Sequence, residues 1–226
     1  MHGSSPVVVV PVGSLEQHGP HLPLDTDTRI AAAVARAVVR TLQEARYPAP
    51  LVVAPAVAYG ASGEHQGFAG TISIGTDALT QLMVEYGRSV TEWSARLVFV
   101  NGHGGNVQAL RQAARQLRDE DRDVGWCACS VRSGDAHAGH TETSLLLHLA
   151  PETVRTDQIR AGNVAPLAEL MPALRQGGLA AVSEVGVLGD PTTATAIAGA
   201  QLLAEMVAGC AERIGRWRPG DDGMLR

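Results

Sequence analysis

Lysine is absent from this chain of 226 residues; all 18 basic side chains are arginine. Without lysine there is no Schiff base, no pyridoxal phosphate chemistry, no Ser-Lys dyad and no Walker-type lysine against a phosphate. A GC-rich coding bias accounts for the exchange. Cysteine is sparse too: Cys127, Cys129 and Cys210 make neither a disulfide framework nor a Cys-x-x-Cys zinc or redox pair. That usage fits a reducing, cytoplasmic compartment. No run approaches the roughly 18 apolar residues of a membrane span. Val7 to Val10 is also too short for a secretory core of about 7–15 residues. Basic charge is in deficit, 18 groups against 23 acidic ones, and the net charge of −5 argues against a nucleic-acid partner. Neither Ser14 nor Ser62 lies in a Gly-x-Ser-x-Gly elbow, so serine hydrolysis has no support.

What is present suits one self-sufficient domain over residues 1–226, able to bury around 70% of its unfolded surface. Val7 to Val12 is a continuous β-branched run and reads as a strand buried on both faces. Leu51 to Ala54, Leu97 to Val100 and Val124 to Val131 read as further strands. Helices are expected over Arg29 to Ala45, from a cap at Asp77 through Arg96, over Asn106 to Asp119, Thr141 to Leu149, and Thr193 to Arg216. Strands alternating with helices predict an α/β fold with a mostly parallel sheet and helices on both faces. In such folds ligands gather beyond the carboxyl ends of the strands. Three polar, histidine-bearing segments follow three of the strand runs: Glu16 to Asp27, His103 to Asn106, and His137 to Glu142. They are therefore expected to converge at one rim.

In the first segment, Glu16 and His18 are two apart and point the same way in extended chain. Gly19, Pro20 and Pro23 turn the chain so that Asp27 can return toward them. Carboxylate, imidazole and carboxylate suit a divalent ion such as zinc, iron(II) or manganese, and a carboxylate can bridge two ions. The alternative is a solvated turn followed by a helix-terminal charge; Asp25 reads as a helix cap. Glycines around His103 give either a close approach to a ligand or a phosphate-cradling loop, although the spacing is not Gly-x-Gly-x-x-Gly. His137 and Glu142 straddle a helix start, where an imidazole is a good proton carrier. His140 and His148 receive no role.

The stretches Pro11 to Asp27, Tyr59 to Gly75, Asn101 to Asn106 and His137 to Ser144 carry a resemblance. Through them the sequence resembles the creatininase (creatinine amidohydrolase) family along Val7 to about Pro151. The run from Gly13 to Thr28 is most similar to the branch associated with mycofactocin biosynthesis. The resemblance implies a single three-layer αβα domain in a ring-like homo-oligomer such as a hexamer. It implies a binuclear centre of Fe2+, Zn2+ or Mn2+ that hydrolyses amide C–N bonds. By the same resemblance, Glu16 and His103 are ligands of one metal, His18 of the other, Asp27 is the bridge, His137 the catalytic histidine and Glu142 a carboxylate at the metal site. One departure is visible: creatininase carries a metal-binding glutamate where this chain has Gly105, so Glu142 is expected to complete the second site or that site to be weaker. No tryptophan stands near His137 to enclose creatinine. The implied substrate is a small ribosomal precursor peptide, cut near its C-terminus. The rivals are a hydrolase of a formamide or cyclic amide, and a non-catalytic metal- or phosphate-binding module.

Overall fold

The computed structural model describes residues 5–226. Residues 1–4 of the expected domain lie outside the described residues. Four strands, β1 (Val7–Val12), β2 (Leu51–Val53), β3 (Arg96–Asn101) and β4 (Val124–Ala128), form one parallel sheet in the order β2-β1-β3-β4. Six α-helices accompany them among the described residues: α1 (Thr26–Glu44), α2 (Thr76–Val90), α3 (Val107–Asp119), α4 (His140–Leu149), α5 (Leu167–Gly177) and α6 (Ala196–Arg216).

The valines of β1 divide between two cores because successive side chains point to opposite faces. Val7 and Val9 join Val98, Val100 and Cys127 under α1, α4 and α6. Val8, Val10 and Val12 join Leu97, Phe99, Val124 and Trp126 under α2 and α3. The result is the expected αβα sandwich. Pro11 sits in a central strand without breaking it. Its carbonyl accepts from Val57 N–H on the β2 side, so its missing donor faces a stretch where β2 has already ended.

Several boundaries differ from expectation. The helix expected from Asp77 through Arg96 starts at Thr76 behind Gly75 (φ +79°) and stops at Val90. Thr91 bonds back to the Gly87 carbonyl at 2.7 Å, and the chain turns before Arg96 opens β3. β4 ends at Ala128, short of Val131: its partner β3 has run out at Asn101, whose carbonyl accepts the last bond from Cys129. The last helix starts at Ala196, capped by Thr195 rather than begun at Thr193. Asp25 occupies the position before α1, but its carboxylate pairs with Arg29 at 2.7 Å and caps nothing. α5, with Pro172 inside it, has no counterpart in the sequence reading.

Candidate active site

Because all four strands are parallel, their carboxyl ends share one rim, and each delivers a loop there. The β1 loop brings Glu16, Gln17, His18 and, at the start of α1, Asp27. The β2 loop brings Glu64 and His65, the β3 loop His103, and the β4 loop His137 and, in the first turn of α4, Glu142. Asn106 ties three of these loops together. Its amide donates to the Gly13 carbonyl at 2.8 Å and accepts from Ala61 N–H at 2.9 Å, while also reaching Asn101.

Glu16, His18 and Asp27 are almost wholly buried, and so are His65, His103 and His137. The two Asp27 oxygens face different histidines: Oδ1 lies 3.2 Å from His18 Nε2, and Oδ2 lies 3.1 Å from His103 Nδ1. Ser14 donates to Oδ2 at 2.7 Å and fixes the carboxylate plane. Glu16 Oε2 is 3.2 Å from His103 Nε2, and Oε1 is 3.3 Å from His65 Nε2 and 3.8 Å from His137 Nδ1. Glu142 Oε2 lies 3.7 Å from His18 Nε2 and accepts from Ala138 N–H at 2.6 Å. Three sets of donor atoms are close enough to share an ion: Glu16, His18 and Asp27; His18, His137 and Glu142; Glu16, His65 and His137.

These separations fit the metal chemistry of the donor set. Two ligands at 2.0–2.1 Å from one ion, at tetrahedral angles, stand about 3.3 Å apart. Both Glu16 oxygens are buried without an aligned hydrogen-bond donor, an arrangement that a cation would satisfy. The tautomers agree. His18 Nδ1–H donates to the Glu16 carbonyl at 3.1 Å and His137 Nε2–H to the Gln17 carbonyl at 2.9 Å, which leaves His137 Nδ1 bare toward the site and makes His18 Nε2 the nitrogen a metal would take in exchange for a proton.

Protons take the place of cations in the ion-free cluster. Burial opposes charge on His18, yet Asp27, followed by Glu142 and Glu16, raises its pKa to about 10. Glu16 and Asp27 overcome burial at His103 as well and push it well above the ordinary value. Asp27, despite burial, is held well below the usual carboxylate range by His18 and His103. His137 moves the other way: burial, then the neighbouring His18 and His65, keep it neutral. Burial lifts Glu142 to about 7.

Over this cluster opens a cavity of about 670 Å³. His103, His137 and Glu142 line it, together with Leu167, Met171, Leu174 and Arg175 of α5 and the nearby Leu179 and Leu188, a mainly apolar stretch. Of the three glycines around His103, only Gly104 is free of neighbours. A Cβ at Gly102 would lie 2.6 Å from the Asp27 carbonyl oxygen, and one at Gly105 would meet the Ala61 carbonyl and lie 2.5 Å from His103 Nε2.

A family model for creatininase (creatinine amidohydrolase) matches residues 1–214. The chain belongs to the creatininase family. Within it, the chain is 65% identical over 222 residues to a mycofactocin precursor peptide peptidase of Mycobacterium ulcerans, covering 97% of this chain and 89% of that one. A protein of the same name in Mycolicibacterium smegmatis is 64% identical over 229 residues, covering 100% and 91%. Creatinine amidohydrolase of Pseudomonas putida is 30% identical, with 68% of each chain covered. Among solved structures, the manganese form of creatininase matches with a TM-score of 0.76 at 27% identity, covering 96% and 92% of the two chains. A Zn-Zn form of a creatininase mutant matches with a TM-score of 0.75.

All the residues singled out for the site, Glu16, His18, Asp27, His103, His137 and Glu142, meet at this rim. Sequence reasoning passed over Gln17, Glu64 and His65. The β2 run is followed by a histidine-bearing polar segment like the other three, and the same rule applied there finds Glu64 and His65. Glu64 Oε1 lies 3.7 Å from His103 Nε2 and only 2.8 Å from where a Gly105 Cβ would stand, so this creatininase-family chain has a carboxylate in the space beside position 105. His21 is buried against Thr143 at 2.8 Å and His140 is bonded to Thr193 at 2.8 Å; neither is among the three donor sets.

Proposed function

We propose that this chain is a divalent-metal peptidase that hydrolyses an amide bond near the C-terminus of a mycofactocin-type precursor peptide and releases a short modified fragment. Family membership makes it a hydrolase of C–N bonds. The high identity to relatives of that name over nearly the whole chain supports the substrate class. The observation that carries the reading is the buried Glu16 carboxylate, facing imidazoles without an aligned hydrogen bond, beneath an open cavity.

In this reading Glu16 and His103 would hold one ion and His18 and Glu142 the other, with Asp27 shared between them. The oxygen and nitrogen donor set suits Fe2+, Zn2+ or Mn2+. When bound, such ions polarise a carbonyl and bring the pKa of bound water to about 7. His137 supplies the proton. Its Nε2–H is committed to the Gln17 carbonyl, so Nδ1 is the atom that accepts a proton and passes it to the departing nitrogen. Its depressed basicity makes the protonated form a ready donor. Glu142, whose Oε2 accepts from Ala138 N–H, stands 3.7 Å from His18 Nε2, within reach of the same ion. The apolar wall of α5 excludes water from one side of the substrate and accepts a bulky apolar side chain.

We also assign the whole chain to one catalytic unit that assembles as a homo-oligomeric ring. Exposed Ile72, Trp93, Val164 and Ile197 supply apolar surface for such contacts, and sedimentation reads the subunit count. A cytoplasmic site of action fits the three free cysteines. Among the described residues no helix is long and apolar enough to cross a membrane.

The test incubates metal-loaded, chelated and metal-restored protein with modified precursor peptide, unmodified precursor and creatinine, followed by mass spectrometry. Cleavage of the modified peptide, lost on chelation and regained with metal, supports the reading. Creatinine turnover with both peptides intact restores the small cyclic amide as substrate.

A further inference from the structure

Gln17 has no part in the chemistry above, yet its side chain is buried between two site histidines. Its amide orientation is fixed by backbone groups: Gly19 N–H donates to Oε1 at 2.9 Å, and Nε2 donates to the Gly186 carbonyl at 3.0 Å. Gly186 has φ +68°, and a Cβ there would collide with this amide, so the contact needs glycine on both counts. One Nε2 hydrogen remains. His137 Nε2, at 3.4 Å, already carries a hydrogen because it donates to the Gln17 carbonyl. The remaining hydrogen therefore goes to His65 Nδ1 at 3.2 Å.

An Nδ1 that accepts leaves the imidazole hydrogen on Nε2, the atom that lies 3.3 Å from Glu16 Oε1. By distance alone His65 belongs with Glu16 and His137 as an ion-binding set. Its site-facing nitrogen nevertheless carries the hydrogen of a neutral ring, whereas that of the neutral His137 is bare. We propose that Gln17 holds His65 out of the metal's coordination sphere, with an Nε2–H rather than a lone pair turned toward Glu16. One residue thus sorts two histidines: its carbonyl bares His137 Nδ1, and its amide keeps His65 Nε2 protonated. This inference rests on Glu16 being a metal ligand, as proposed above, but not on the identity of the substrate.

Long-range nitrogen-15 spectra of the ion-free full-length protein read the tautomer directly, with no variant to misfold. His65 is expected to show a pyridine-like Nδ1 and a pyrrole-like Nε2, and to keep that signature after zinc is added. A bare Nε2, or a shift of Nε2 on zinc binding, overturns the proposal. Zinc titration against a competing chelator adds a second readout. His65→Leu is expected to lose about 10–100-fold in zinc affinity, the usual cost of losing an outer hydrogen-bond partner. His65→Gln, whose amide supplies an N–H, restores most of it. Loss of an ion from the stoichiometry in both variants makes His65 a ligand and ends the proposal. Failure of the peptidase reading would leave all these results unchanged, so the two claims fail separately.

Discussion

Replacing Asp27 by Asn keeps size and shape and removes one charge, which isolates what a two-faced carboxylate does. Its oxygens stand 3.2 Å from His18 Nε2 and 3.1 Å from His103 Nδ1. An amide presents an oxygen to only one of them and turns an NH2 toward the other. In the ion-free protein both histidines are cationic because of Asp27 and Glu16, so Asn leaves buried charge with a weakened partner. Breaking such a buried pair costs about 3–5 kcal/mol. At roughly 2–4 °C per kcal/mol for a chain this long, the ion-free melting temperature should fall by about 6–20 °C. On the metal-loaded side, Asn should lose both ions, and peptide cleavage with them. His18→Ala, which removes a ligand of one ion, should keep the other. Metal content by mass spectrometry, calorimetric melting of the chelated protein and peptide turnover read the three consequences. An Asn variant with two ions and ordinary turnover refutes the bridging role and the reasoning behind it.

His137→Ala should keep its ions while turnover falls about 10²–10⁴-fold, the usual worth of a positioned proton carrier; a lost ion would make Nδ1 a ligand. Gly104→Ala should be silent, since nothing lies within 4 Å of the added methyl, whereas Gly105→Ala should disturb both stability and metal content by pressing on His103. Thermal melting and metal analysis of the pair compare them. Metal binding should release protons, because His18 holds one up to about pH 10 in the ion-free protein. Apparent affinity should then rise with pH by up to about tenfold per unit per proton, visible by calorimetry in buffers of different ionisation enthalpy. The same raised pKa sets the sign for stability. His18 stabilises the ion-free protein fully below its unfolded value of 6.5, and that contribution is lost as pH rises toward about 10. A chelated sample whose melting temperature does not fall over that range contradicts the His18–Asp27 pairing.

Much of the site was legible because parallel topology turns sequence order into place. Each strand run is short and apolar, and three of them lead into histidine-bearing polar segments, so those segments could be assigned to one rim from sequence order. The Val7–Val12 run matches β1 residue for residue despite Pro11. What stayed hidden depends on tertiary partners. α2 stops at Val90 through a Thr91 back-bond, with no glycine or proline between Val90 and Arg96 to announce it. β4 ends where β3 ends, a limit written in another strand. Asp25 has the residue type of a cap, but Arg29 one turn along claims its carboxylate. Gln17 reads as an ordinary loop amide; only the backbone of Gly19 and Gly186, the latter 169 residues away, reveals its orientation. α5 escaped because its apolar residues line a cavity rather than a core, and Pro172 interrupts its pattern.

Hydrolysis of the modified precursor peptide in water enriched in oxygen-18 tests the central claim most directly. The metal-loaded protein should place one oxygen-18 atom in the new C-terminal carboxylate of the longer fragment and none in the released amine fragment. Unlabelled fragments, or an intact peptide under conditions where Glu16, His103 and Asp27 hold their ions, would contradict the account.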